Sequence, residues 1–118
     1  MLTWKEGPRE LGCEFHKVGQ FEGPEARVHV DVFVLPKLAP GRPIAVTLRG
    51  GLPRRARSVQ QTELRDPEDT QHLHVTLVPA LERAGVSTGL AHTFVDDIVR
   101  LVMDEADAIR AAMATKTQ

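Results

Sequence analysis

Cysteine is nearly absent from this chain. Cys13 stands alone among 118 residues, which excludes an intrachain disulfide and any metal cluster built on several thiolates. A single thiol fits a reducing compartment, so the expected location is cytoplasmic. Tyrosine is missing, and four Phe and one Trp supply all the aromatic rings. Sequence-tolerant binding of single-stranded nucleic acid needs exposed aromatic platforms, so nucleic acid is an unlikely partner on composition. Long apolar runs are also missing. The most strongly apolar stretch, Val32 to Leu35, is far below the roughly 20 residues that span a bilayer, so no membrane association is expected. The start, Met1-Leu2-Thr3-Trp4-Lys5-Glu6, lacks the basic start and apolar run of a secretory signal.

What is present is the composition of an ordinary globular protein, 42% hydrophobic and 26% charged, which argues against disorder. A chain of this length buries about two-thirds of its unfolded surface, enough for one core, and residues 1–118 are expected to form one α+β domain. The net charge of -1 gives no global attraction to a polyanion. Its distribution is uneven. From position 37 to 65 the cations Lys37, Arg42, Arg49, Arg54, Arg55, Arg57 and Arg65 face Glu63 alone. From 66 to 110 nine carboxylates face Arg83, Arg100 and Arg110. The two stretches are either complementary solvated faces of one domain or the mark of a partner surface.

Leu11 to Val18 reads as a short strand, and Gly19 to Pro24 as the turn after it. Arg27 to Leu35 alternates strictly, with Val28, Val30, Val32 and Val34 on one side and Arg27, His29, Asp31, Phe33 and Leu35 on the other. This is the strongest strand signal in the chain. Pro36 to Pro43 is a loop. Ile44 to Leu48 is a return strand, most simply antiparallel, stopped by Gly50-Gly51 and Pro53. Arg54 to Leu64 reads as a strand or an irregular arm, Asp66-Pro67-Glu68-Asp69 as a turn, and His72 to Val78 as a further strand ended by Pro79. The remainder is helical: Thr93 with Asp96 resembles a capping box, and Val95, Ile98, Val102, Ala106, Ile109 and Met113 form one apolar stripe. Asp96 with Arg100 and Asp107 with Arg110 stand at ion-pair spacing on its polar side. The expected fold is a small, mainly antiparallel sheet of about four strands packed by one long C-terminal amphipathic helix. Such a stripe, longer than a small sheet needs, leaves room for a homodimer contact or an oligomerising structural subunit.

Several motifs suggest chemistry and fall short of it. Asp104-Glu105-Ala106-Asp107 spells a helicase tetrapeptide without any phosphate-cradling loop, and reads as a solvated helix face. Gly50-Gly51 leads into Leu52-Pro53 and not into a helix, so it is no dinucleotide loop, and Ser58 and Ser87 lack a nucleophile elbow. On a strand, His72 and His74 would share one side, a pair that holds a metal only if a third ligand such as His29, His16, His92 or Cys13 converges on it. His74-Val75-Thr76-Leu77 resembles one half of the paired signature of two-histidine phosphoesterases. The only other candidate half, His29-Val30-Asp31, has a carboxylate where a hydroxyl should meet phosphate. A small histidine-dependent phosphoesterase or metal-dependent enzyme built on His72, His74 and His29 is therefore the catalytic alternative, and it requires those three imidazoles to converge. No cofactor is implied. Arg54-Arg55-Ala56-Arg57 is a compact basic cluster with no aromatic beside it.

One stretch resembles a known family. His29-Val30-Asp31-Val32-Phe33-Val34-Leu35-Pro36, then Pro40-Gly41-Arg42-Pro43, then a short apolar strand into Gly50-Gly51-Leu52, is similar to the core signature of the Suppressor-of-fused domain. Phe15-His16 matches a further Phe-His pair upstream, and the resemblance covers residues 15–52. It implies a non-catalytic protein-binding module, an immunity-type or regulatory partner of another protein. The exposed polar residues beside the Pro-rich loop, Asp31, Arg42, Arg54, Arg55 and Arg57, are the expected partner-binding groups, since the planar fork of Arg makes several hydrogen bonds at once.

Overall fold

In a computed structural model of the chain, residues 1–9, 13–24, 26–34, 44–51 and 58–117 are described, with the backbone alone for 49–51, 58–60 and 114–117. Five strands, β1 (Thr3–Glu6), β2 (His16–Glu22), β3 (Arg27–Val34), β4 (Ile44–Gly51) and β5 (Ser58–Leu64), make one antiparallel meander in the order β1-β2-β3-β4-β5. Three helices follow: α1 (Gln71–Arg83), α2 (Thr88–Asp104) and α3 (Ala106–Thr117). The α+β class and the antiparallel sheet agree with the sequence reading. The count differs, with five strands in place of four and three helices in place of one.

The alternating valines of β3 set the architecture. Val28, Val30, Val32 and Val34 are buried, and the register places Leu48, Val46 and Ile44 of β4 beside the last three on the same face. Leu73, Leu77 and Leu81 of α1, Phe94, Val95, Ile98 and Val102 of α2, and Ile109 of α3 close over them in one apolar cluster. Each such side chain contributes roughly 1.5–3 kcal/mol when fully withdrawn from water. Phe21 of β2 meets Phe94 at a ring separation of 4.9 Å, tilted as aromatic quadrupoles favour. Across 95 positions, the buried carboxylate of Asp97 on α2 accepts the Leu2 N–H at 2.9 Å and fixes the entry to β1 against the helices.

Several boundaries differ from expectation for identifiable reasons. The first strand was expected at Leu11 to Val18; β2 instead begins at His16 and continues through Gly19 to Glu22. Gly19 belongs there because the Trp4 ring of β1 lies across it, where a Cβ would come within 2.6 Å of ring carbon. The turn comes later, closed by Gly23 N–H donating to the Ala26 carbonyl. β1 itself has four residues, mostly exposed, and so too little alternation to be seen beforehand. β4 runs on through Gly50 and Gly51, and β5 occupies the second half of the ambiguous arm. The Pro36 to Pro43 loop lies outside the described residues.

The expected strand at His72 to Val78 is a helix. Leu73, Leu77, Ala80 and Leu81 are buried at spacings of three and four, the period of one helix face, and this outweighs the strand preference of Val75, Thr76 and Val78. Pro79 lies inside α1 instead of ending it. Its missing N–H removes the helical donor to the carbonyl of Val75, a residue 67% exposed and thus open to solvent. A Schellman turn ends α1: Gly85 takes φ 98° and Val86 N–H donates to the Leu81 carbonyl.

The helix cap also moves. Ser87, not Thr93, caps α2, its hydroxyl accepting from Leu90 N–H, while Thr93 lies inside the helix and donates to the Gly89 carbonyl. Glu105 interrupts the expected single helix and divides it into α2 and α3. The turn at Asp66 to Asp69 forms as expected, with Asp69 N–H donating to the Asp66 carbonyl and the Asp66 carboxylate accepting from Glu68 N–H. No helix among the described residues is long and apolar enough to cross a membrane.

Candidate functional site

All three helices pack on the valine face of β3, so its other residues, Arg27, His29, Asp31 and Phe33, belong to the face turned away from them. The register adds Glu22, Gln20, Val18 and His16 from β2, in that order. Two geometric rules then bring three polar side chains together. His29 and Asp31 are two apart on one strand and project to the same side. His16 stands opposite Phe33 and is therefore the diagonal neighbour of Asp31, within reach of a ring.

Asp31 is the centre of the group. Its Oδ1 lies 2.8 Å from His16 Nε2 and its Oδ2 lies 3.2 Å from His29 Nε2. Burial is graded: the His16 side chain is 5% exposed, Asp31 17% and His29 38%. The second His16 nitrogen, Nδ1, meets the carbonyl oxygen of Pro8 at 3.0 Å, and the ring stands edge-on to Phe33. Gly7 covers the ring so closely that a Cβ there would fall 2.3 Å from it. Beside the group is a hollow of about 480 Å³, lined among others by Thr3, Gln20, Arg27 and His29. Both oxygens of Asp31 are thus engaged by imidazoles, which fixes the carboxylate in place. His29 remains partly exposed.

The other sequence candidates are placed elsewhere. His72 and His74 lie on a helix, where residues two apart point about 200° away from each other, so they share no face. His74 turns toward α2: its Nε2 is 3.3 Å from Asp96 Oδ1, and its ring stacks on His92 at 6.1 Å. Asp96, expected to pair with Arg100, meets this histidine. Asp107 and Arg110 do pair, at 3.7 Å. His29 lies on the far side of the sheet from α1, so His72, His74 and His29 do not converge and the two-histidine arrangement is not formed. Among the described residues no group of three or more His, Cys, Asp or Glu side chains is placed to hold a metal ion.

Arg42, Arg54, Arg55 and Arg57 lie outside the described residues. The strand ends that flank them are informative. Val34 and Ile44 stand at one end of the sheet and Gly51 and Ser58 at the other, separated by the eight residues of β4, about 24 Å.

His16 is the member of the group that sequence reasoning named only as a possible third metal ligand and in the Phe15-His16 pair, not as a partner of Asp31. Its strand was expected to turn at Gly19, and only the continuous register through Gly19 sets His16 diagonal to Asp31. On the helix side of the sheet, at the β1 edge, Lys17 binds Glu6 and lies 3.8 Å from Glu105. The Lys17 hydrogen bond and charge hold the Glu6 carboxyl below its ordinary value, and the same hydrogen bond raises Lys17.

No family model matches the chain, and no curated protein and no solved structure matches it.

Proposed function

We propose that this chain is a protein-binding module without chemistry of its own, and that its partner docks on the sheet face turned away from the helices, around His29 and Asp31. The observation that supports this reading is the engagement of both Asp31 oxygens by imidazoles on a face that no described helix covers. A carboxylate held in that way is orienting a neighbour and is committed against proton transfer to a substrate. A rigid, half-buried polar group beside Phe33 and His29 is instead the kind of feature that fixes register at an interface.

The partner's chemistry follows from charge. Arg27 and His29 stand on this face together with the carboxylates Glu22, Asp31 and Glu63. Among the described residues, Arg27 forms an exposed pair with Glu22, at 3.1 Å, which contributes little and is readily exchanged. Arg42, Arg54, Arg55 and Arg57 belong to the connections between β3, β4 and β5. An acidic protein surface would complement the cation-rich sequence from 37 to 65, and such a partner agrees with the role that the Suppressor-of-fused resemblance implies.

The test is comparative capture. Immobilised protein is expected to retain one acidic protein from an extract of its own cells, to release it as salt rises, and to lose it on combined Arg27→Ala and His29→Ala substitution at an unchanged thermal midpoint. Equal capture by the folded double variant would remove this face from consideration.

A further inference from the structure

We propose that His16 is a proton-operated latch: with both ring nitrogens protonated it ties the Gly7-Pro8 segment to Asp31, and the loss of one proton to solvent lets that segment go. The inference concerns the folded chain alone and does not depend on the docking reading.

The argument is an inventory of donors and acceptors. A proline carbonyl only accepts, so the 3.0 Å contact at His16 Nδ1 needs a proton on that nitrogen. An ionised carboxylate also only accepts, so the 2.8 Å contact at Nε2 needs a second proton. One ring satisfies both contacts only as the imidazolium, whose charge the Asp31 carboxylate balances. His29 Nε2 lies 3.2 Å from the other carboxylate oxygen. With one proton on His16, either a carboxylate or a carbonyl faces a bare lone pair in a nearly water-free site. The charge-assisted bond to Asp31 is the stronger of the two, so the proton stays on Nε2 and the contact to Pro8 is lost.

The surroundings make that loss consequential. The ring is roofed by the Gly7 backbone, too close for any side chain there, and Gly7 N–H donates to the His16 carbonyl at 2.8 Å. Segment and ring therefore move together. Among the described residues, the titratable groups that face the ring are Asp31 of β3 and, through it, His29; Lys5 of β1 shares the face, opposite Val18. Phe33 closes the remaining edge.

Ring-nitrogen NMR on labelled protein, recorded across pH with the Gly7 amide protection factor, tests the latch. Both His16 nitrogens are expected to carry protons while Gly7 is protected. Protection should fall about tenfold, the weight of one such hydrogen bond, over the same pH interval in which Nδ1 loses its proton. Asp31→Asn, which keeps the shape and removes the balancing charge, should move that interval to lower pH. His16→Gln, which cannot bridge both acceptors, should show low Gly7 protection at every pH. A singly protonated His16 ring beside a protected Gly7 would overturn the proposal, as would an interval that Asp31→Asn leaves in place.

Discussion

Thr62 carries a hydroxyl into the helix-packed side of the sheet, opposite Val46, and that oxygen has no hydrogen-bond partner among the described residues. A buried hydroxyl without a partner costs more than the methyl that would replace it at nearly the same volume. Thr62→Val is therefore expected to stabilise the fold by about 1 kcal/mol, read as a higher urea midpoint at unchanged slope. A lower midpoint would mean that the hydroxyl is satisfied. Glu6 is a different kind of residue effect, exposed and electrostatic. Its carboxyl lies below the ordinary 4.5 because Lys17 hydrogen-bonds it and lends it charge. With the folded value depressed, the contribution of the pair is present above the ordinary carboxylate range and is lost as pH falls through the folded value. Lys17→Met should move the Glu6 titration, followed by carboxyl NMR, upward toward 4.5, and a titration that does not move would assign the shift to another neighbour.

At the scale of elements, Pro79 offers the clearest test of how α1 is held. The helix keeps Leu73, Leu77 and Leu81 in the core and accepts a proline on its exposed side, at the cost of one backbone bond. Pro79→Ala restores the N–H and removes the ring, and should raise stability by about 1–3 kcal/mol by thermal unfolding. An unchanged midpoint would show that α1 is already distorted there in a way alanine cannot repair.

The same helix shows where local pattern stops being sufficient. Val75, Thr76 and Val78 followed by Pro79 look like a strand at short range, and only the leucine spacing over nine residues, seen against the sheet, decides for helix. β3 and β4 were legible because alternation is a local property, and the Asp66 turn because its chemistry is. The Thr93 cap was misread because Ser87 lies before the apolar stripe begins. For the candidate site, alternation gave Asp31 and His29 a common face. His16 was hidden because its place depends on a strand register running through Gly19, a contact between segments that no single stretch encodes.

For the whole molecule, the fate of the C-terminal stripe decides between self-assembly and self-packing. Val95, Ile98, Val102 and Ile109 are 0% exposed within one chain, enclosed by the sheet and α1, so the face once available for a homodimer is already used. The two uses predict opposite responses to a charge placed in the stripe. At an intermolecular seam, Ile98→Asp would leave a folded protomer and halve the mass in solution. In an intramolecular core, the same change buries an unpaired carboxylate among Phe94, Val102 and the valines of β3, a cost of several kcal/mol against the 5–15 kcal/mol of a typical domain. Ile98→Asp is therefore expected to abolish cooperative thermal unfolding by circular dichroism, with no folded species of smaller mass in light scattering. A well-folded variant of reduced mass would place this stripe between chains and not beneath the sheet.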